Sequence, residues 1–292
     1  MTSTRVPEPC PLKTPSRFLV VFDKDGTLVD FDAMWSKWAE DHAREIEARL
    51  VRPHSSLGEE DGVCASFRRA YYSALDYNCA TRTVGGNGVL ACSPMALVYR
   101  TAADIAASWC TEPTERTEVE AAVAVAAAIA EPNPEAAVPR GNLVELFEMI
   151  VRMGAAIAVC TTDNRAVTEA TMAHLGLTKY ICAMCCGDDG GVAHKPDRAQ
   201  IDLLRTASGA GADCTVMVGD TPTDMQLGRN AACALSVGIL GGASSLDDLA
   251  QHADCLIPSL DRLPKLLRLA FAAAAHGGGG ADAPGASEPR RE

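Results

Sequence analysis

Phe18-Leu19-Val20-Val21-Phe22 runs without a break into Asp23-Lys24-Asp25-Gly26-Thr27-Leu28. Five consecutive apolar residues, with no polar alternation, mark a β-strand buried on both faces, the habit of parallel sheets. The run stops at two carboxylates and a glycine. Open α/β sheets bind their ligands beyond the carboxyl ends of the strands, so these acids stand where chemistry is expected.

Working outward, runs of the same character recur at Ala155–Cys160, Tyr180–Cys185, Cys214–Val218 and Ala234–Ile239. Helical stretches separate them at Asn142–Met153, Arg165–Leu175, Arg198–Ala207 and Thr223–Ala231. Strand alternating with helix predicts an α/β fold with a doubly wound, Rossmann-like parallel sheet. Asp23, Thr161 and Asp220 then all sit at strand ends.

The segment between the first two strands has another texture. Asp32–Val51, Cys64–Asn78, Met95–Cys110 and Thr114–Ala130 read as helices, punctuated at Pro53 to Gly62, Val84 to Gly88 and Glu131-Pro-Asn-Pro134. At more than a hundred residues it is too long for a crossover loop and is expected to form an inserted α-helical subdomain. The chain therefore divides into a leader at 1–16, an α/β core at 17–31 and 139–271, a helical insertion at 32–138 and a disordered tail at 272–292, where alanine, glycine and proline dominate. Gly85-Gly86-Asn87-Gly88 lacks the Gly-Lys-Ser/Thr ending of a phosphate loop and reads as an ordinary turn. Trp35 and Trp38, three apart on one helix face, read as core.

Composition narrows the class. A length of 292 residues suffices to bury a real core. The formal charge of −12 repels nucleic acid and anionic membrane surfaces, so neither is expected as a partner. No stretch approaches the roughly 20 apolar residues of a membrane span; Ala121 to Ala130 is the longest, bounded by Glu120 and Glu131. Met1 to Arg17 lacks the apolar core of a secretory signal, which points to a cytoplasmic protein, with organellar targeting by the leader as the alternative. Twelve cysteines in such a chain suggest free thiols. Cys182-x-x-Cys185-Cys186 invites a zinc or redox reading, but no second Cys/His pair completes it, and cysteine packs in a buried strand as a small hydrophobe.

Three further segments join the first: Val159-Cys160-Thr161-Thr162, His194-Lys195-Pro196-Asp197 and Val218-Gly219-Asp220-Thr221-Pro222-Thr223-Asp224. Together they supply carboxylates, hydroxyls, an ammonium group and glycine turns. That set suffices to hold a magnesium ion and attack a phosphate, since such a site must neutralise charge and hold the reacting groups in line.

The order and wording of the segments resemble the haloacid dehalogenase superfamily of aspartate-nucleophile phosphotransferases. Asp23-Lys24-Asp25-Gly26-Thr27-Leu28 matches its first motif and Gly219-Asp220-Thr221-x-x-Asp224 its fourth. Gly219 to Ala231 looks most like the phosphoglycolate-phosphatase-like hydrolases. The resemblance covers roughly 17–30 and 140–245. It implies that the helical insertion is a cap closing over the site, and it assigns roles. Asp23 attacks phosphorus and becomes an aspartyl-phosphate. Asp25 protonates the leaving alkoxide and then deprotonates the hydrolytic water. Magnesium is held by the carboxylates of Asp23 and Asp220 and by the Asp25 carbonyl. Gly26 leaves room for the backbone to approach the phosphoryl group, which Thr161 or Thr162 and Lys195 contact. Lys195 also orients Asp23, and Asp224 stands behind as the acid that holds Lys195 or a metal-bound water. One departure is visible: many relatives place Asn directly after the motif-two threonine, where this chain has Thr162-Asp163-Asn164.

The expected function is thus a magnesium-dependent phosphatase acting on a small phosphorylated metabolite, with phosphoglycolate a candidate. A dehalogenase on the same fold dispenses with the second aspartate and with metal, which Asp25 and Asp220 argue against. A phosphonate hydrolase needs a lysine in the insertion, and Lys37 is the only one between Asp30 and Arg140. A phosphomutase needs exclusion of water, and a silent binding protein would not keep Asp23, Asp25, Lys195 and Asp220 together.

Overall fold

The computed structural model describes residues 16–51, 60–110 and 114–277. Six strands form one sheet: β1 (Phe18–Phe22), β4 (Ala155–Cys160), β5 (Ile181–Cys185), β6 (Thr215–Gly219), β7 (Leu235–Ile239) and β8 (Cys255–Ile257). Their order is β5-β4-β1-β6-β7-β8, and every pairing is parallel. The chain winds outward from β1 through β4 to β5, then returns to the far side of β1. This is the doubly wound sheet that the alternation predicts.

The unbroken apolar runs follow from two covered faces. Leu19, Val21, Ala156, Ala158 and Met217 pack on one side against Ile201 and Leu204 of α8 (Ala199–Ser208) and Leu227 of α9 (Pro222–Asn230). Val20, Phe22, Ile157, Val159, Val216 and Val218 pack on the other, under Phe147 of α6 (Leu143–Arg152) and Leu263 and Leu267 of α11 (Leu263–Gly277). Strand residues alternate between faces, so each run must be apolar at every position.

Between β1 and β4 lie α1 (Phe31–Ile46), α2 (Glu60–Leu75), a hairpin of β2 (Tyr77–Asn78) and β3 (Thr83–Val84), α3 (Val89–Cys92), α4 (Met95–Trp109) and α5 (Arg116–Ile129). They bury a cluster of their own around Trp38, Phe67, Tyr71, Val98 and Val123. Both ends of the insertion meet at one place: Asp30 N–H donates to Val138 O at 2.8 Å and Arg140 N–H to Leu28 O at 2.9 Å.

Several expected boundaries move. The helix expected over Asp32–Val51 is α-helical only to Ile46 and continues as a π-helix from Glu47 to Val51. The helix expected to reach Asn78 ends at Leu75, because Asp76 adopts φ 58° and turns the chain into the hairpin. The leader does not include residue 16: the buried Ser16 accepts from Ala156 N–H and donates to Gly154 O, which ties it to β4. Nor does the disordered tail begin at 272, since α11 continues to Gly277. The leader expectation for 1–15 and the tail expectation beyond 277 lie outside the described residues. Cys182 and Cys185 are buried on β5, and all eleven cysteines among the described residues are free thiols. Among the described residues no helix is long and apolar enough to cross a membrane.

Candidate active site

Three neighbouring parallel strands deliver the site. Phe22 is in register with Val159 on one side and Val218 on the other, so the residues beyond β1, β4 and β6 emerge side by side. Asp23 N–H donates to Val218 O at 2.9 Å, fixing the first acid beside the fourth segment. The third segment crosses the same edge in the loop before α8, where the Lys195–Pro196 peptide bond is cis.

Lys195 is the hinge-pin of the cluster. Its Nζ lies 2.7 Å from Asp23 Oδ1 and 2.7 Å from Asp224 Oδ1, and all three side chains are buried. Asp224 is fixed by the start of α9: Thr221 caps the helix with Pro222 next, and Asp224 Oδ2 accepts from Thr221 N–H at 3.1 Å and Thr221 Oγ1 at 2.7 Å. That reciprocal capping box is written in the sequence as Thr-Pro-Thr-Asp. Asp220 is held differently: Thr27 Oγ1 donates to its Oδ1 at 3.0 Å and Ala243 N–H to its Oδ2 at 2.7 Å.

Gly26 serves this acid. Its φ of +82° suits a residue without Cβ, and a Cβ there would collide with the Asp220 carboxylate. The space its missing Cβ leaves is taken by Asp220. Arg140, at the end of the insertion, donates to Gly26 O and, at 2.7 Å, to Leu240 O, bracing this loop.

Oxygens of Asp23, Asp220 and Asp224 all lie within 4.8 Å of one another, all buried. Three acids thus face one ammonium. Burial raises the Asp23 carboxyl well above the usual range, Lys195 opposes that, and Asp224 and Asp220 add to it. Burial and Asp224 push Asp220 up to about 7. Burial works against the Lys195 charge, yet Asp224 and Asp23 outweigh it and hold its pKa well above normal. The negative surplus, made of hard oxygen donors, fits a divalent cation.

Above the cluster is a cavity of about 10 Å³, close to the size of one water. Asp23, Asp25, Thr161, Thr162 and Asp163 form its floor, and Phe31, Trp35, Leu90, Ala91, Ser93 and Met95 of the insertion its roof. Both threonines therefore reach the cavity. Thr161 is buried and its Oγ1 accepts from Asp163 N–H at 3.2 Å, while Thr162 is partly exposed. Trp35 and Trp38 are core residues as expected, but Trp35 also faces the cavity, and its buried Nε1 has no hydrogen-bond partner among the described residues.

A family model for haloacid dehalogenase-like hydrolases matches residues 19–232. The chain belongs to that family. It is 29% identical to a phosphoglycolate phosphatase of Rhodospirillum rubrum over 84% of this chain and 94% of that protein. It is 31% identical to one of Agrobacterium fabrum over 44% of this chain, a match spanning 54% of that relative's length. In fold it is similar to a crystal structure described as a predicted phosphoglycolate phosphatase from Haemophilus somnus, with a TM-score of 0.58, 19% identity, and coverage of 87% and 99% of the two chains. It is also similar to a phosphatase of the same family from Thermococcus onnurineus, with a TM-score of 0.57, 15% identity, and coverage of 86% and 97%.

The structure brings Asp23, Asp25, Gly26, Thr161, Thr162, Lys195, Asp220 and Asp224 to one edge of this hydrolase's sheet. Reading the sequence missed Lys24, Thr27, Arg140, Asp163 and the Ala243 N–H. Lys24 is wholly buried, with Nζ 2.8 Å from Asp25 Oδ1 and 3.0 Å from Asp163 Oδ2. The departure from the family's pattern after Thr162 was visible, and Asp163 is its place in space. His194 is exposed.

Proposed function

We propose that the chain is a magnesium-dependent phosphatase that hydrolyses a small phosphomonoester through an aspartyl-phosphate. The observation that carries this reading is the double bridge from Lys195 to Asp23 and Asp224 beside Asp220. An ammonium fixed 2.7 Å from the carboxylate at a strand end aims that carboxylate and opposes the burial that favours its protonated form, as a nucleophile requires. Magnesium, bound by Asp23, Asp220 and the Asp25 carbonyl, would neutralise the charge of acid and phosphate together. Asp23 Oδ forms a bond to phosphorus while the ester P–O bond breaks. Asp25 gives its proton to the departing alkoxide. It then takes a proton from a water that attacks phosphorus, freeing Asp23 and releasing phosphate. Thr161, Thr162 and Lys195 supply donors to the phosphoryl oxygens. Asp224 keeps Lys195 in place.

The substrate is read as a small phosphorylated metabolite, with phosphoglycolate first among candidates. The names of the relatives support that. None of the residues lining the roof is basic, so neutral donors, the free Trp35 Nε1–H and the Ser93 hydroxyl, would meet the leaving group's oxygens. Free thiols throughout the described residues support a reducing, cytoplasmic setting. The test is a panel of phosphomonoesters assayed with and without magnesium. Phosphoglycolate is expected near the top of the ranking by kcat/KM, and para-nitrophenyl phosphate should be turned over less selectively. Halide release from 2-haloacids, or no phosphate release from any ester, would sink the reading.

In the same reading residues 32–138 are a cap, and 17–31 with 139–271 the catalytic core. The insertion has its own buried cluster and enters and leaves through the paired segments at 28–30 and 138–140. Replacing 32–137 by a short linker should leave a folded core that still cleaves para-nitrophenyl phosphate but no longer ranks natural esters. An unchanged ranking in a folded capless chain would remove the cap from substrate choice.

A further inference from the structure

Each of the two motif-one aspartates is gripped by its own buried lysine with a second carboxylate behind it. Asp224, Lys195 and Asp23 form one such row. Asp163, Lys24 and Asp25 form the other, at 3.0 and 2.8 Å. We propose that Lys24 and Asp163 are positioning residues for the acid and base step, holding Asp25 where the leaving group departs. This rests on the reading of Asp25 as the proton donor.

Lys24 lies between the two catalytic positions, yet it points away from the Lys195 row. Its backbone is pinned by Leu28 and Val29 N–H, which donate to its carbonyl at 2.8 and 3.1 Å, so its side chain has a fixed origin. The ammonium is completely buried and meets only oxygens of Asp25 and Asp163 among its charged neighbours. An ammonium in such a place is costly unless paired on all sides, and a packed apolar residue would stabilise the fold as well. What the ion pairs add is direction. Lys24 takes Asp25 Oδ1, which leaves the other carboxylate oxygen for the cavity that Asp25 lines.

Asp163 anchors the lysine in turn. It is itself held at both ends: its N–H donates to Thr161 Oγ1 at 3.2 Å, and its Oδ1 accepts from Asn164 N–H at 2.6 Å. Gly187 N–H donates to its carbonyl at 2.8 Å, and a Cβ on Gly187 would strike Thr162 O, so the end of β5 presses this loop into place. The loop that carries Thr161 and Thr162 is thereby tied to the loop that carries Asp25. Phosphoryl contacts and proton donor are set by one rigid connection. Lys24 in motif one and Asp163 in motif two, each unremarkable alone, are explained by each other.

The test uses the full chain with Lys24→Met, Asp163→Asn, the double variant and Asp25→Asn. Each is assayed on an alkyl phosphomonoester and on para-nitrophenyl phosphate, whose leaving group hardly needs an acid. Misplacing a catalytic group by about 1 Å can cost ~10²-fold. Lys24→Met should therefore lower kcat on the alkyl ester by roughly 10- to 100-fold, no more than the lower end of the ~10²–10⁴-fold worth of proton transfer itself, and affect para-nitrophenyl phosphate far less. KM should stay within about threefold, because the bonds that hold the Thr161–Thr162 loop independently of Lys24, from Asp163 N–H to Thr161 Oγ1 and from Gly187 N–H to Asp163 O, remain. The double variant should lose no more than Lys24→Met alone, since Asp163 acts through the lysine. Should Lys24→Met fail to fold, the nearly isosteric Asp163→Asn decides: a selective kcat loss on the alkyl ester supports the proposal, and unchanged kinetics on both esters overturn it. Equal losses on both esters, or a change in melting temperature alone, would also overturn it. If Asp25→Asn itself shows no leaving-group dependence, the acid and base reading of Asp25 fails instead. If Asp25→Asn shows it and Lys24→Met does not, only the positioning role falls.

Discussion

Asp23→Asn will show no turnover and no phosphate adduct, while Asp25→Asn will accumulate one. The two residues are two apart on one loop, so the contrast tests roles rather than location. Asp23→Asn removes the oxygen proposed as nucleophile and breaks the ion pair with Lys195 at 2.7 Å. An amide neither attacks phosphorus at a useful rate nor repays the burial of that ammonium, and the loss should reach the background of the assay. Asp25→Asn leaves Asp23, Lys195 and Asp224 as they are. It removes proton transfer, worth typically ~10²–10⁴-fold in rate. The first step should suffer least for esters with good leaving groups, and the second should slow because the water is no longer activated. Intact-mass measurement after mixing with para-nitrophenyl phosphate should therefore find one added phosphoryl group in Asp25→Asn. The same adduct in Asp23→Asn would put the nucleophile elsewhere and undo the assignment of the first motif.

The sheet was legible because burial on both faces forces unbroken apolar runs, and Phe18–Phe22, Ala155–Cys160 and Thr215–Gly219 carry that mark. Shorter elements left no such trace. Cys255–Ile257 at the sheet edge and the two-residue strands of the hairpin are too brief for any period to show. The stop at Asp76 is a backbone event, a positive φ at an aspartate, that no apolar pattern encodes. Within the site, Asp224 was readable because its capping box is local, three residues from Thr221. Lys24 was not. A lysine between two aspartates reads as solvated, and only Asp163, far along the chain and brought close by β4, explains why it is buried. The grip on Asp220 comes from the Ala243 backbone, and a backbone donor has no residue type to read.

Chelation will abolish turnover, and magnesium will stabilise the fold more at pH 8 than at pH 5. Asp23, Asp220 and Asp224 are packed within 4.8 Å with Lys195 as their buried cationic partner. Burial raises Asp23, and burial with Asp224 raises Asp220 to about 7, from an ordinary 3.8. At this cluster the folded, metal-free chain thus binds more protons than the unfolded chain between about pH 4 and pH 7. Where the folded state holds the extra protons, stability falls as pH rises. The metal-free melting temperature should accordingly drop across that window. A divalent cation needs these carboxylates ionised, so protons compete with it at pH 5 and not at pH 8. At a concentration 100 times its dissociation constant a ligand adds about 2.7 kcal/mol. For a domain of this size that is roughly 5–10 °C at pH 8. At pH 5 the gain should shrink towards zero. Thermal melts with EDTA or magnesium at the two pH values, read beside turnover on one ester, measure both halves. Full activity after exhaustive chelation would remove the metal from the chemistry. A stabilisation as large at pH 5 as at pH 8 would show that magnesium binds somewhere other than this cluster of acids.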